Sequence, residues 1–400
     1  MQDGISKESP FSPGRPVPIE YFVARIQEIE RLKRAIQQTA SDRNENIFIE
    51  GDRGIGKSSL AHFIHYLAEK EYSLMGCHCL LGGINSIEGM MQVIFQRLLE
   101  QVTDQSLSEK LKKIFSKQIK GINLFGLGID FTNDPSELRA LANNFLPVMR
   151  KVYETVKGTR QGLILILDDL NGITKVPEFS HFLKSTVDEL AISKEVLPLL
   201  LILVGTSEKR EDLIKHQPSV ARIFDVISLY PMNEDESEDF FKSSFNKKEM
   251  AVNPEAISKM VDFSGGFPML MHEIGDAVFW QDTDRSVDSA DGEKGIIIAS
   301  ENVGRKYLDP QVYRTIGSET YRSILRKLGQ LPFKGFQRQR ILERMTETER
   351  KTFDNFLRKM KKLGMICETE VRGEYRFTNK LYHLYVMLEA FKALKGSSGK

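Results

Sequence analysis

The chain has 400 residues, 41% hydrophobic and 28% charged, with a formal net charge of +1. That is globular material for two or three domains, and its longest apolar run, residues 197–204, suits a buried strand and excludes a helical membrane span. Three cysteines (Cys77, Cys79, Cys367) are too few for a disulfide framework, and Met-Gln-Asp-Gly lacks the features of a signal peptide. A reduced, cytoplasmic protein without membrane attachment is therefore expected.

Residues 1–20 carry Pro10, Pro13, Pro16, Pro18 and Gly14, which predicts an extended lead-in rather than a packed element. From Ile26 the apolar spacing (Ile26, Ile29, Leu32, Ile36) predicts a helix. A β-type run, residues 47–50, then leads into Gly51-Asp52-Arg53-Gly54-Ile55-Gly56-Lys57-Ser58-Ser59. This fits the phosphate-loop pattern of Gly, four residues, Gly-Lys-Ser. Glycines let backbone N–H groups curl round a phosphate, and the following helix aims its N-terminal dipole at the anion. Lys57 is placed to reach the β/γ-phosphates of ATP, and the Ser58 hydroxyl to hold Mg²⁺. The plainer reading is a glycine turn between strand and helix. It is weakened by the apolar helical pattern that follows at Leu60, Phe63, Ile64 and Leu67.

Residues 73–81 read as a second strand. Cys77-His78-Cys79 within it has no second ligand pair at zinc spacing and reads as buried thiols. Residues 90–102 and 107–119 predict helices. Residues 122–131, bent at Gly126 and Gly128, predict a hairpin, either a surface ribbon or a partner contact. A long helix is expected over 136–156. Residues 163–167 form a continuous apolar run, as in a strand buried on both faces of a parallel sheet, and end in Asp168-Asp169. Acids there emerge where such sheets bind ligands. Residues 197–205 predict a further buried strand, ending in Thr206-Ser207. Asn233-Glu234-Asp235-Glu236 opens a helical segment of about 65 residues, by count along the sequence, and the polar stretch 281–294 reads as a linker or exposed loop.

At this point the motifs join into a resemblance. Pro10-Phe11-x-Pro13-Gly14-x-Pro16-Val17 and Phe22-Val23-x-Arg25-x-x-Glu28-Ile29 resemble the box that opens many prokaryotic ATPases of the AAA+/STAND group. The resemblance implies that Phe22, Val23 and Arg25 sit against adenine, with Ala24 where the family usually has glycine. It makes Asp168 a Walker B acid holding Mg²⁺ through water, and Asp169 the acid that activates the attacking water. It makes Thr206 a γ-phosphate sensor. It makes Arg222 an arginine finger offered to a neighbouring copy, the alternative being a surface salt bridge. Gly265-Gly266-Phe267-Pro268 resembles the Gly-x-Pro motif of STAND lids, whose proline, here Pro268, touches adenine. The sensor-2 arginine common in AAA+ lids is absent, which points to a STAND-like switch. Lys57 and Asp168 lie 111 positions apart, long for a minimal unit, so residues 86–157 are read as an insertion.

The tail differs in charge. Residues 316–400 hold 19 Lys+Arg against 9 Asp+Glu, a net of +10, and the rest of the chain holds 37 against 46, a net of −9. Helices are expected over 318–328, 337–345 and 346–362, the last opened by the capping-box spacing Thr346-x-x-Glu349. Residues 365–371 and 375–378 predict a two-stranded wing, and 381–394 a closing helix. That is a winged helix-turn-helix order, which in duplex DNA puts the third helix in the major groove. Candidate contacts are Arg338, Arg340, Arg350, Lys351, Asn355, Arg358 and, at the wing, Arg372.

The expected architecture is therefore α/β: a parallel-sheet P-loop core of the AAA+ kind over 21–232, a helical lid and linker over 233–315, and a winged helix over 316–400. ATP and Mg²⁺ are expected between core and lid. Two functions fit: an ATPase that binds double-stranded DNA, resembling archaeal origin-recognition, transposition or defence regulators, or a STAND-type signalling ATPase whose winged helix contacts protein. A nucleotide-binding scaffold with negligible turnover is the third. Homo-oligomers on ATP or DNA binding are expected, and protein partners are possible.

Overall fold

The computed structural model describes residues 8–102, 105–116, 122–123, 130–131, 138–139 and 142–397. The described residues divide into two compact units, one spanning residues 25–230 and the other residues 231–400 together with the segment before residue 25.

Strands of the first unit are β1 (Glu45–Gly51), β2 (Leu74–Leu80), β3 (Ile122–Asn123), β4 (Asp130–Phe131), β5 (Gly162–Asp168), β6 (Leu199–Gly205) and β7 (Asp225–Leu229). Among the described residues, five of them form a parallel sheet in the order β2-β5-β6-β1-β7. Every residue of β5 and β6 is buried. A strand covered on both faces can be apolar throughout, which is why these two read as unbroken runs rather than alternations. Parallel neighbours need long crossovers, and helices supply them: Lys57–Lys70, Ile87–Glu100, Phe145–Val156, Pro177–Ile192 and Ser207–His216.

The insertion is part of this core. Phe95, Phe115 and Phe145 of its helices join Met75, Cys77 and Cys79 of β2 and Leu165 of β5 in one apolar cluster. The expected hairpin pairs β3 with β4 antiparallel, and its tip, residues 124–129, lies outside the described residues. So do residues 117–119, the start of the expected helix at 136–137, and 398–400.

The second unit is helical with small sheets. Three departures from expectation have physical causes. First, the lead-in is extended but packed: the Phe11 ring is buried among Phe240, Phe241 and Phe245, with the nearest centroid 5.0 Å away, and the Ser12 N–H donates to His272 Nδ1. Prolines prevent a helix but not burial of one aromatic. Second, the stretch expected to be a linker over 281–294 becomes helical at Ser289–Val303, opened by a capping box between Asp288 and Asp291. Its acids satisfy the first-turn N–H groups. Third, residues 336–337 add a strand, so the sheet here has three strands among the described residues, Phe336–Gln337, Glu374–Phe377 and Ile366–Glu368 side by side. Two residues carry no periodicity to read.

The last helix, Lys380–Ser397, ties this unit together. Its Leu381 and Leu384 pack with Met271, Ile274 and Ala299, while its Tyr385 and Val386 pack with Ile324, Phe353 and Phe356. Lys380 also pairs with Asp262, and Lys392 with Glu301. Between the two clusters the chain runs through a π-helical stretch, Gly304–Tyr313, held by a hydrogen bond from Tyr385 Oη to Asp309 Oδ1 at 2.7 Å. Among the described residues no helix is long and apolar enough to cross a membrane.

Helix Glu347–Lys362 starts on the capping box expected from sequence. Glu349 within it is buried and accepts from Lys327 Nζ (2.5 Å) and Ser323 Oγ (2.7 Å) on helix Glu319–Gly329. Burial pushes the carboxyl up, but these bonds and the Thr346 N–H outweigh it and hold the pKa at about 2, against an ordinary 4.5. A depressed carboxylate stabilises the fold above its unfolded pKa, and that stabilisation is lost as pH falls from about 4.5 towards 2. Glu349→Gln is expected to cost about 2–3 kcal/mol at pH 7, a difference from wild type that shrinks as pH falls below 4.5 and vanishes only below about pH 2. Denaturant unfolding across that pH range checks both limits.

Candidate functional site

The parallel sheet brings its functional ends to one edge. In register, Glu50 of β1 lies beside Gly205 of β6, and Asp168 of β5 beside Val204. The loop after β1, the acids after β5 and Thr206 after β6 therefore emerge at one level, within about a residue's rise of 3.3 Å. This is the carboxyl edge, where α/β sheets bind ligands.

In the loop after β1, Gly54 and Gly56 have φ of 79° and 96°, a conformation that side chains with a Cβ rarely adopt. The following helix starts at Lys57 with Gly56 as N-cap and no side-chain hydrogen bond to its first turn. A helix N-terminus without a side-chain cap presents its N–H groups and its dipole to an anion. Lys57 Nζ donates to the loop carbonyls of Gly51 (2.8 Å) and Asp52 (2.7 Å). Burial lowers its pKa, against the attraction of Asp168 and Asp52. Asp52, Arg53 and Ser58 are exposed, Ser59 is half-buried, and Ile55 is buried as the loop's apolar anchor. The Ile55 carbonyl accepts from Arg25 Nη2 at 3.1 Å, so a residue of the opening box braces the loop.

Asp168 is 2% exposed. Its Oδ1 accepts from the Asp169 N–H (2.7 Å), and His78 Nε2 lies 3.2 Å from its Oδ2. Asp169 is exposed, with φ of 59°. His78 projects from β2 opposite Cys77 and Cys79, which are buried with their Sγ atoms 3.3 Å apart. Sequence reasoning took this tripeptide as buried thiols and missed His78. No local signal marks it, since its partner lies 90 positions away and only the β2–β5 pairing joins them.

Thr206 Oγ1 is buried, with no hydrogen-bond partner among the described residues. Arg222 lies exposed on the short helix Val220–Ile223 and pairs with no described residue. Phe22, Val23 and Pro268 belong to the other unit: Phe22 is half-buried, Val23 packs against that unit's core, and Pro268 is the first residue of helix Pro268–Gln281. Ala24 has φ of 66° and Arg25 of 63°. The left-handed backbone at Ala24 is one that glycine adopts without steric cost.

The basic candidates of the tail divide into two sets. Arg338 is held by Asp354 in a fork, at 2.9 and 2.8 Å. Arg350 donates to the Leu342 carbonyl (2.8 Å), closing the C-terminus of helix Arg338–Glu343. Both guanidinium groups are thus engaged within the fold. Among the described residues Lys351 pairs with Glu347 one turn back, and Arg340, Asn355, Arg358 and Arg372 are exposed.

The donor set fits a magnesium nucleoside triphosphate: side-chain-uncapped helix N–H groups and an ammonium for phosphates, a hydroxyl and a buried carboxylate for the cation, and an unpartnered hydroxyl at the same edge. This arrangement on a five-stranded parallel sheet defines a P-loop ATPase core. Comparison agrees with that class: residues 21–202 match the family model described as AAA ATPase domain (AAA_16). Among solved structures, it is similar to the ORC2 protein of Aeropyrum pernix, solved as ADPNP–ADP complexes (13% identity, 98% of this chain and 100% of that one, TM-score 0.60). It is also similar to a Walker-type ATPase of Pyrococcus abyssi (17% identity, 92% and 96%, TM-score 0.55). At these identities the likeness is one of fold. A curated relative from Methanocaldococcus jannaschii, described as an uncharacterized HTH-type transcriptional regulator, is 22% identical over 274 residues. That match spans 66% of this chain and 64% of the relative.

Because Thr206 Oγ1 bonds to nothing described, Thr206→Val should leave stability within about 0.5 kcal/mol of wild type. Breaking a satisfied buried pair would cost about 1–3 kcal/mol. Chemical denaturation of the ligand-free protein measures the difference.

Proposed function

We propose that this protein is an ATP-binding, ATP-hydrolysing switch that couples its nucleotide state to duplex DNA through a C-terminal winged helix. The observation that carries the nucleotide half is the side-chain-uncapped start of helix Lys57–Lys70, with Lys57 turned into the loop and Asp168 at the same sheet edge. Lys57 and the loop N–H groups would hold the β- and γ-phosphates, and Ser58 and Asp168 would hold Mg²⁺. The metal supplies neutralisation of charge on the phosphate oxygens. Asp169 accepts the proton of the attacking water, and Thr206 Oγ1 orients the terminal phosphate. Arg222, exposed and unpaired among the described residues, is free to serve the site of a second copy.

For the DNA half, the order of helix, strand, two helices and a hairpin over residues 319–377 is that of a winged helix. Lys351, Asn355, Arg358 and Lys362 are all exposed on helix Glu347–Lys362 at spacings of four, three and four, which line one helix face. Asn and Arg at base edges read sequence, and Lys on phosphates supplies affinity. The M. jannaschii relative's description as an HTH-type regulator agrees with this reading. The shared core of the last helix means that the DNA-reading elements follow any movement of helices Pro268–Gln281 and Ser289–Val303.

Lys57→Ala should abolish the rise in melting temperature that ATP gives the wild type, since nothing else offsets the phosphate charge. An undiminished rise would remove the nucleotide reading. If the exposed face meets DNA, log affinity falls linearly with log salt, and replacing Lys351, Arg358 and Arg372 together should flatten that slope by about 2–3, with the ATP-induced shift intact. Fluorescence anisotropy with duplex DNA measures it. An unchanged slope, or no duplex binding by the ATP-bound full chain, leaves the signalling ATPase whose winged helix contacts protein.

A further inference from the structure

Asp169 is the residue on which hydrolysis rests in the reading above, and it is held in an unusual way. Its backbone is left-handed, at φ of 59°. Such a conformation is strained for a side-chain-bearing residue and persists only where its surroundings enforce it. Three contacts enforce it here. The Asp169 N–H donates to Asp168 Oδ1 at 2.7 Å. Its carbonyl accepts from the Asn171 N–H at 2.8 Å. Leu170, between them, is buried at 1% exposure and fixes the turn against the core.

The side chain is fixed as well. Asn171 Nδ2 donates to Asp169 Oδ1. The other oxygen, Oδ2, lies over Gly82 in the loop after β2, where a Cβ on residue 82 would come within 2.5 Å of it. That loop is itself tied to the acid strand by the Leu81 N–H, which donates to the Asp168 carbonyl at 2.7 Å. One oxygen is therefore set by an amide and the other by a surface that only glycine leaves open.

We infer that Asn171 is a positioning residue for Asp169, and that Gly82 provides the floor on which its carboxylate rests. This rests on the hydrolytic reading of the site and adds to it the groups that orient the base. The chemistry suits the residue types. A base must be ionised and basic to take a proton from water. A lysine or arginine in place of Asn171 would hold the carboxylate but tie it up in an ion pair. A neutral amide donor fixes orientation without adding charge. His78 serves the neighbouring acid, Asp168, so the two carboxylates have separate supports.

The test uses the full-length chain with ATP and Mg²⁺. Asn171→Ala and Gly82→Ala should each lower kcat about tenfold or more, the lower range of a general base's contribution, with nucleotide affinity within twofold of wild type by fluorescent-nucleotide titration. Residue 82 displaces only the end of a short side chain, so Gly82→Ala is expected to stay folded, as its melting temperature will show. The decisive measurement is the double variant. Asp169→Asn with Asn171→Ala should be no slower, in single-turnover assays, than Asp169→Asn alone, because a residue that acts through Asp169 has nothing left to position. Asn171→Ser, which keeps a donor two residues on, should recover part of the rate. A kcat within twofold of wild type for Asn171→Ala, or a further independent loss in the Asp169→Asn background, would overturn the positioning role while leaving the ATPase reading. A wild-type chain that binds ATP but shows no turnover would overturn both.

Discussion

The position of β6 between β1 and β5 is the constraint on which the site depends. The phosphate loop follows β1 and the acids follow β5, and β6 separates them by one strand on each side. Parallel register then puts Glu50 beside Gly205, and Asp168 beside Val204. A slip of one residue in either pairing would turn each buried strand's side chains to the opposite face. Both pairings are locked because β5 and β6 are buried throughout, so their side chains are packed on both faces. The geometry of the site is thus set by apolar residues that touch no ligand.

Within that frame, part of the backbone strain lies where chemistry is expected. Among the described residues, seven non-glycine positions have positive φ, and three of them are Ala24, Arg25 and Asp169. Arg25 reaches the Ile55 carbonyl of the phosphate loop, and Asp169 is clamped by Asn171. The departures at Arg25 and Asp169 are compensated by nearby bonds, as strained backbone at functional positions must be. Asp tolerates the left-handed region through local hydrogen bonding, whereas Ala24 has no polar side chain to offer and is held by its neighbours alone.

The second unit is built on a different economy. Among its described residues it has small sheets and apolar clusters, and helix Lys380–Ser397 contributes to two of these clusters. A helix that is apolar on opposite faces cannot leave either cluster without exposing large side chains to water. Lys380 with Asp262 and Lys392 with Glu301 add exposed pairs, which set orientation more than stability. The Phe11 segment closes the first cluster from the amino-terminal side, so residues far apart in the chain share one core.

The sequence by itself determined the parts whose signal is local. Gly51 to Ser59 carries its own backbone requirement and chemistry, the apolar runs of β5 and β6 announce two-sided burial, and Thr346 with Glu349 announces a helix start. These were legible because each rests on neighbours within a few residues. Tertiary structure alone decided the rest. It brought His78 to Asp168 through the pairing of β2 with β5, and it laid the Asp169 carboxylate over Gly82. It drew Arg338 to Asp354 and Arg350 to the Leu342 carbonyl, so that two expected surface cations serve the fold. It also buried Phe11, which the surrounding prolines had marked only as non-helical. The reason is the same in each case: a side chain's partner is chosen by the space it occupies after folding, and that space depends on strand order and helix packing, which no local pattern encodes.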